Sequence, residues 1–215
     1  MAETIAERIA RVLSARIVSG ELAPGTALRQ DRIAEDFEAS HVPVREAFQR
    51  LKAQGLAVAE PRRGMRVAPL DPTSMMEIVE IRARLEPLAL KVATPLMNAT
   101  AFERIERALV AGEAADTMAD WERANQSFHR ELAAPCRMPR LLAMIDDLQL
   151  ASARIIFAVH RSAGWQPGSN HAHRQIFNAV KRRDAVRAVA LLESHIRMLE
   201  RPAGADGAIT ALPDT

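Results

Sequence analysis

The sequence predicts a mainly α-helical protein of two domains, in which three helices and a small β-hairpin precede an all-α bundle of six helices. Three observations predict this fold class. Apolar residues recur every three or four positions along most of the 215-residue chain, which is the period of an α-helix. Strand-like segments are confined to a short stretch before residue 70. Proline and glycine residues divide the remainder into helix-sized blocks.

The composition is that of a soluble globular protein, with 48% hydrophobic and 26% charged residues. No apolar run approaches the roughly 18 to 20 residues that a membrane-spanning helix needs, and the first ten residues lack the basic-then-apolar order of a signal peptide. A single cysteine, Cys136, cannot form an internal disulfide, which suits a reducing compartment. The sequence therefore predicts a cytoplasmic protein that does not associate with a membrane.

The first two helices are indicated by apolar periodicity and by the breakers between them. Apolar residues four positions apart predict the first helix: Ile5, Ile9, Leu13 and Ile17. The segment Gly20–Gly25, which contains Pro24, ends this helix. A short second helix is predicted at Gln30–Phe37, with its apolar side chains on one side.

The third helix is predicted to begin after Ser40, whose side chain would cap it. Pro43 lies in the first turn of this helix, where a missing N–H costs little. The buried stripe consists of Val44, Ala47, Phe48 and Leu51. The other faces carry Arg45, Gln49, Arg50 and Lys52, and Gly55 ends the helix.

Two extended segments follow, Ala57–Glu60 and Met65–Ala68, and they predict a hairpin with a basic tip of sequence Pro-Arg-Arg-Gly. Three helices and a hairpin in this order describe a winged helix-turn-helix, whose third helix enters the DNA major groove while the wing reaches the backbone or the minor groove. Between Arg45 and Arg66 there are six basic residues against two acidic ones, an excess of four, although the whole chain has a formal net charge of only +2. Contacts to DNA phosphates require a local basic face of this kind.

The segment Pro69–Pro72 is predicted to be a linker, and the pattern after it is helical. Six amphipathic helices are predicted there: Thr73–Ala93, Ala99–Ala115, Ala119–Ala134, Met138–Ala163, Ser169–Arg182 and Asp184–Arg201. Such helices form a bundle with room for an internal pocket. We therefore predict a winged-helix DNA-binding domain at 1–70, a helical ligand-binding and dimerisation domain at 71–201, and a disordered tail at 202–215.

The N-terminal region carries an ordered run of motifs: Gly20-Glu-Leu-Ala-Pro-Gly-Thr-Ala-Leu-Arg29, Ile33-Ala-Glu35, Ser40-His-Val-Pro-Val-Arg-Glu-Ala-Phe48-Gln-Arg-Leu51, Gly55-Leu56 and Gly64-Met-Arg-Val67. This run closely resembles the GntR family of transcription regulators over about the first 68 residues. The second half carries Arg82-Ala-Arg-Leu-Glu86, Asn125-Gln-Ser-Phe128-His129 and the segment His173–His195. These motifs resemble the FCD ligand-binding domain of the FadR subfamily.

The resemblance implies a homodimer that binds a palindromic operator in double-stranded DNA and acts as a repressor, and whose operator affinity is changed by a small metabolite. It also implies which residues contact DNA. The candidates are Ser40, His41, Val42 and Arg45 for bases, Arg29 and Arg50 for phosphates, and Arg63, Gly64 and Arg66 in the wing. The family commonly has Arg and then Thr at the positions of His41 and Val42, so one bidentate contact to guanine is missing and the operator sequence is not predicted.

Four residues of the second half could form a metal site. Asn125 and His129 are four positions apart, so they share one helix face, while His173 and His195 lie on successive helices predicted to pair antiparallel. Imidazoles from facing helices can converge on one divalent metal. The simpler interpretation is that these are ordinary helix histidines satisfied by hydrogen bonds.

The FCD resemblance favours the metal, because many FCD domains bind one through an aspartate and three histidines at these positions. Here Asn125 stands at the aspartate position, and its neutral amide is a weaker ligand that could leave the site without metal. Zinc is the expected ion, with nickel or manganese as alternatives. A small organic acid is the expected effector, since its carboxylate could complete the metal shell or pair with Arg82. The competing interpretation of Arg82 is an ion pair with Glu86, four positions later.

Two other functions fit part of this pattern. A metal-dependent hydrolase with a winged-helix accessory domain would use three histidines to activate water, but the sequence contains no HExxH motif, and Glu193 lies two positions before His195, where it would point away from it. A winged helix that binds protein rather than DNA is disfavoured by Arg45 and by the basic wing. The sequence does not identify the effector, the operator or the direction of the response.

Overall fold

A computed structural model describes residues 3–163 and 170–199 of the chain. The predicted tail at 202–215 lies outside the described residues, as do the predicted helix ends at Ser169 and Arg201.

The N-terminal part has the predicted order of three helices and a hairpin: α1 (Ile5–Val18), α2 (Gln30–Asp36), α3 (His41–Ala53), β1 (Ala57–Glu60) and β2 (Gly64–Val67). The described residues after 70 form six α-helices: α4 (Pro72–Ala93), α5 (Ala99–Glu113), α6 (Met118–Ala133), α7 (Pro139–Ala163), α8 (Asn170–Lys181) and α9 (Ala185–Leu199). Short 3₁₀ turns follow α4 and α6, at Thr94–Leu96 and Ala134–Cys136. The predicted mainly α fold with a small β wing is confirmed, with the described element ends within two residues of prediction.

The helices of the N-terminal part form where sequence and capping agree. Thr4 and Glu7 form a reciprocal capping box at the start of α1, in which the Thr4 N–H donates to Oε2 of Glu7 at 2.9 Å and the Glu7 N–H donates to Oγ1 of Thr4 at 3.2 Å. Ser40 occupies the N-cap position of α3 as predicted, but its side chain makes no capping hydrogen bond. The exposed Ser40 hydroxyl is therefore not committed to the helix end.

Two compact units make up the chain, and the first consists of residues 1–78 with 143–157. Its core contains fully buried side chains of α1 and α3, such as Leu13, Val44 and Leu51, and it also includes Ala153 of α7. The segment of α7 that completes this core is therefore about 90 residues from the wing in sequence.

The wing of this unit is a two-stranded antiparallel hairpin in which Ala57 pairs with Val67 and Glu60 pairs with Gly64. Gly64 has a φ of +78°, which suits a residue without a Cβ at the tip. The connection between α1 and α2 adds to the hairpin, because the Leu28 N–H donates to the Met65 carbonyl at 2.9 Å. The wing is thereby fixed to the helical part of the unit.

The second unit consists of residues 79–142 with 158–215. Its described core is built from α4, α5, α6, α8 and α9 and contains Leu90, Ile105, Phe128 and Phe177, each with almost no exposed surface. In the described ranges, no helix combines the length and the apolar character that crossing a membrane requires.

One arginine holds the turn between α8 and α9 in this unit. Arg183 has a φ of +60° and donates to the main-chain oxygens of Thr94 at 2.8 Å and Met97 at 2.7 Å, beyond the end of α4. Its guanidinium also lies over the ring of Phe102, 5.4 Å from the centroid. These contacts fix the two helices that carry His173 and His195.

Candidate metal centre and nucleic-acid interface

Three buried histidines from three different helices meet in the second unit. His129 of α6, His173 of α8 and His195 of α9 are each at most 3% exposed. The Nε2 atom of His195 lies 3.2 Å from Nε2 of His129 and 3.0 Å from Nε2 of His173. The structure thus brings together the three histidines that the spacing predicted.

Glu86 fixes the orientation of one of these rings. Its Oε2 lies 2.7 Å from Nδ1 of His129, and its Oε1 accepts a 2.7 Å hydrogen bond from Nε of Arg82. Burial raises the pKa of Glu86, but the Arg82 guanidinium and His129 outweigh it and hold the pKa at about 2. An ionised carboxylate only accepts, so Nδ1 of His129 carries a proton and its Nε2 is the nitrogen that faces the cluster.

Two of the three rings are kept neutral. Burial, followed by the neighbouring imidazoles, lowers the pKa of both His173 and His195 well below the usual value of a histidine. Neutral imidazole is the form that binds a metal. His173 and His195 therefore offer ligand nitrogens without first losing protons at neutral pH.

Hydrogen bonding alone does not satisfy this arrangement. Nε2 of His195 faces two other Nε2 atoms, and a neutral imidazole has one N–H for both of its nitrogens. The single N–H or lone pair at Nε2 of His195 therefore cannot make an ordinary hydrogen bond to both neighbours. Nitrogens bound about 2.0–2.1 Å from a zinc ion lie roughly 3.0–3.4 Å from each other, so the observed separations suit a shared cation.

Asn125 adds a fourth polar group one helical turn before His129. Its Nδ2 donates to Oε2 of Glu122 at 3.2 Å. Its Oδ1 is buried and has no hydrogen-bond partner among the residues that the structure describes. A buried carbonyl oxygen without a donor is costly unless something binds it, and an oxygen of this kind suits a metal ligand. The donor set of three histidines and this amide could hold a divalent cation.

Arg82 is 4% exposed and forms the ion pair with Glu86. This is the competing interpretation that the four-residue spacing allowed. A contact between Arg82 and a ligand carboxylate stays a prediction, and such a ligand would have to share the guanidinium with Glu86.

A second candidate site lies on the first unit, where α2, α3 and the wing border an open groove of about 590 Å³. Five of the predicted DNA-contacting residues line it: Arg29, Arg45, Arg63, Gly64 and Arg66. The groove therefore has basic side chains on its helical side and on its wing side. Such an arrangement suits a sugar-phosphate backbone.

The arginines of this surface differ in their intramolecular partners. Arg50 pairs with Glu7 at 3.3 Å, and Arg63 lies 3.7 Å from Glu60. In the described ranges no ion pair is found for Arg29 or Arg45, both of which are exposed. These two guanidinium groups are the ones presented to solvent without a competing carboxylate.

Arg66 is tied into the unit. The half-buried side chain donates from Nη1 to the Gly25 carbonyl at 2.7 Å, and its Nε lies 3.3 Å from Oε2 of Glu60. Arg66 therefore braces the wing against the connection between α1 and α2. Its predicted DNA contact stays a prediction, as do those of the other surface residues.

The FCD domain family matches residues 77–198, and the family described as bacterial regulatory proteins, gntR family, matches residues 5–67. The chain belongs to the GntR family and carries an FCD domain. The HTH-type transcriptional repressor GlaR of Escherichia coli (strain K12) is 27% identical over 197 residues, which span 86% of this chain and 90% of that protein.

Two further relatives agree. The uncharacterized HTH-type transcriptional regulator BphR of Paraburkholderia xenovorans (strain LB400) is 30% identical over 198 residues, which span 86% of this chain and 79% of that protein. The solved structure of Escherichia coli McbR/YncC shares the fold, with a TM-score of 0.77 at 22% identity, over 92% of this chain and 95% of that one. This GntR-family protein is a ligand-responsive, DNA-binding transcription regulator.

The alternative of a metal-dependent hydrolase is not supported, because the relatives are named as transcription regulators. The nearest acidic residue in sequence to His195 does not serve the cluster. Oε1 of Glu193 accepts a hydrogen bond from Arg84 at 3.1 Å and one from Arg197 at 3.3 Å. As predicted from its spacing, Glu193 points away from His195.

Two functional contacts of this GntR-family regulator were not found by sequence reasoning. The sequence predicts Glu86 only as a partner of Arg82, whereas its second oxygen orients His129. The sequence does not indicate the contact that the Gln30 amide makes with His41 at the start of α3. Neither contact had a local signal, because their partners lie 43 and 11 residues away.

Proposed function

We propose that this regulator is a homodimeric repressor whose operator affinity is set by a small organic acid bound at a divalent metal in the FCD domain. The observation that carries the proposal is the convergence of three buried Nε2 atoms at 3.0 and 3.2 Å. The orphaned Oδ1 of Asn125 supports it.

Zinc is the metal that this donor set favours, because imidazole nitrogens are among its usual ligands. Nickel and manganese accept the same donors and remain alternatives. When bound, the ion would supply a Lewis acid that coordinates a carboxylate. The chain's own residues would do the rest: Glu86 orients His129, and Asn125 contributes a neutral oxygen instead of a charged one.

The effector class follows from the charges of the site. The proposed ligands are three imidazoles and one amide, none of which is negatively charged when it binds a metal. They therefore leave the charge of a divalent cation uncompensated. An anionic oxygen ligand would reduce this charge, and Arg82 would provide a second cation for it. We therefore propose a small carboxylate, held between the metal and the guanidinium that Glu86 now occupies.

The homodimer and the operator follow from the family. Two copies of α3 would read two halves of a palindrome in double-stranded DNA, with Arg45 available for bases and Arg29 for the backbone. Ile81 and Leu88 lie two helical turns apart on α4 and are 37% and 46% exposed, which suits a helix face covered by a second copy. Because the operator would lie on the bacterial chromosome, we expect the protein to act in the cytoplasm.

The test begins with purified full-length protein and elemental analysis. Wild type is expected to contain about one zinc, nickel or manganese ion per subunit, and His173→Ala is expected to lose it. His171→Ala is the matched control, because His171 lies on the same helix, is exposed and contacts Gln175. Metal retained in His173→Ala, or found in neither protein, would contradict the metal site.

Operator binding is measured on the same proteins. Fluorescence anisotropy with duplexes from the DNA upstream of the protein's own gene is expected to show one high-affinity palindromic site. A panel of small mono-, di- and tricarboxylates is then added to zinc-loaded wild type. One of them is expected to weaken operator binding at least tenfold, and sedimentation is expected to give a dimer. High-affinity operator binding that no carboxylate changes would overturn the proposed effector class.

A further inference from the structure

The first two residues of the recognition helix α3 face solvent rather than the core. The His41 side chain is 56% exposed, and Val42 is 53% exposed. Val44, two positions later, is completely buried and provides the packing. The helix therefore presents one imidazole and one isopropyl group at the end that a winged helix-turn-helix directs to base edges.

Gln30 fixes the chemical form of the imidazole. Its Nε2 donates to Nδ1 of His41 at 2.6 Å. Oδ1 of Asp31 lies 3.7 Å from the same nitrogen, which is too far for a hydrogen bond. Since Nδ1 accepts, the neutral ring carries its proton on Nε2. His41 therefore presents a hydrogen-bond donor to the outside.

A donor next to an apolar group matches two features of the major groove. Guanine displays two adjacent acceptors there, N7 and O6, whereas thymine displays a C5-methyl group that favours apolar contact. Val42 has no polar atom for a phosphate, and the exposed Arg29 is better suited to a phosphate than a neutral ring.

We propose that His41 donates from Nε2 to N7 of a guanine, that Val42 packs on the methyl group of a neighbouring thymine, and that Gln30 is the positioning residue that holds the imidazole. This inference rests on the proposed operator binding through α3. It assigns base recognition to the two positions at which the chain departs from the common Arg and Thr of its family.

The proposed contact is weaker than the arginine contact it replaces. A guanidinium fork can contact N7 and O6 together, whereas one imidazole N–H contacts one of them. We expect the guanine preference to be about five- to tenfold rather than the larger ratio of a bidentate pair.

The experiment starts from an unbiased operator. Full-length wild type selects duplexes from a random pool, and the selected site is remade with 7-deazaguanine, which lacks N7, or with uracil, which lacks the methyl group. The readout is the ratio of affinities for the natural and modified duplexes. Wild type is expected to lose about fivefold on each modification at the contacted base.

The variants separate the three roles. His41→Ala is expected to bind the natural and the 7-deazaguanine duplexes with equal affinity. Val42→Ala is expected to bind the natural and the uracil duplexes with equal affinity. Gln30→Ala is expected to lose most of the deazaguanine ratio but to keep the uracil ratio, which a general loss of structure would not do. Lys52→Ala, exposed at the other end of α3, is the control and keeps both ratios.

Each outcome decides one question. A pool from which no sequence is enriched would overturn the proposed operator binding itself. An enriched operator on which wild type tolerates both modified bases would overturn only the base assignment. Deazaguanine discrimination that persists in His41→Ala would assign the guanine to another residue, and unchanged ratios in Gln30→Ala would remove its positioning role.

Discussion

Oε2 of Glu86 lies 2.7 Å from Nδ1 of His129, while its other oxygen accepts from the buried Arg82. The Glu86 carboxylate therefore links Arg82 to the histidine cluster. This link determines the tautomer of His129 and makes the ligand nitrogen more basic.

Replacement of Glu86 by glutamine is expected to weaken zinc binding by about 10- to 100-fold, because the neutral amide still accepts from His129 but no longer polarises it. The variant also removes the ion pair between the buried Arg82 and Glu86, which is expected to lower the free energy of unfolding. Zinc affinity is measured by competition with a chromophoric chelator, and stability by urea unfolding. The double variant Arg82→Met/Glu86→Gln should recover much of the stability but not the zinc affinity. Unchanged zinc affinity in Glu86→Gln would make Glu86 only a partner of Arg82.

Asn125→Asp is expected to bind zinc about tenfold more tightly, because a charged oxygen replaces a neutral one. The same change places a carboxylate where Nδ2 now donates to Glu122, so the metal-free variant should be less stable than wild type. Differential scanning calorimetry measures the melting temperature with zinc and with chelator. The difference between these two temperatures is expected to be larger for Asn125→Asp than for wild type. Asn125→Ala, which has no side-chain oxygen, should narrow that gap. Equal gaps in all three proteins would show that this oxygen does not contact the metal.

Most of the fold could be predicted because its signals are local. Prolines, glycines and capping residues mark the helix ends, and the four-residue spacing of Asn125 and His129 places both on one helix face. The contacts that tune the two sites could not be predicted, since Glu86 reaches His129 across 43 residues. The side chain of Ser40 was expected to cap α3 because the N-cap position favours serine, but position alone does not fix a hydroxyl. No feature of the α7 sequence indicates that its middle completes the core beside the wing.

Metal-free protein is expected to lose stability as the pH falls below about 6.5. Burial lowers the pKa of His173 and His195 in the folded chain, so the unfolded chain binds more protons in this range. The two histidines therefore make their full contribution to the free energy of unfolding above their unfolded pKa. Below it, this contribution falls by about 1.4 kcal/mol per pH unit for each histidine until the folded pKa is reached. Glu86, with a folded pKa of about 2, also loses its stabilising contribution as the pH falls, but only below the ordinary pKa of 4.5 and so outside this range. Urea unfolding of chelator-treated protein between pH 7.5 and 5.5 measures the effect, and a flat profile would contradict it. His173→Gln should halve the slope, whereas His171→Ala should not change it.

Arg45→Ala is expected to weaken operator binding more than Arg50→Ala, because Arg50 already pairs with Glu7 whereas no ion pair of Arg45 is found among the described residues. If Arg45 contacts a phosphate, its loss should lower the affinity for all sequences alike and reduce the slope of log K against log salt by about one. If it contacts a base, the slope of log K against log salt should not change, and the preference for one base at one operator position should be lost. Anisotropy titrations at four salt concentrations distinguish these results. Equal losses in the two variants would contradict the difference inferred from their ion pairs.

Arg154 of α7 is expected to hold the linker within the first unit. Its side chain is 6% exposed, its Nη2 donates to the Ala68 carbonyl, and its Nη1 lies 3.5 Å from the carbonyl oxygen of Pro69. Burial lowers the pKa of this guanidinium, which shows that its position costs free energy that the two carbonyls must offset. Arg154→Met keeps most of the side-chain volume but leaves both oxygens without this donor, so we expect a loss of about 1–3 kcal/mol in urea unfolding.

Amide hydrogen exchange at residues 68–71 should become faster in Arg154→Met and remain nearly as in wild type in Arg154→Lys, which retains one cationic donor. Arg140→Met is the matched control, because Arg140 is exposed on the same helix, and its effect should stay within about 0.5 kcal/mol. If Arg154→Met is as stable as wild type and its linker exchanges no faster, Arg154 does not restrain the linker.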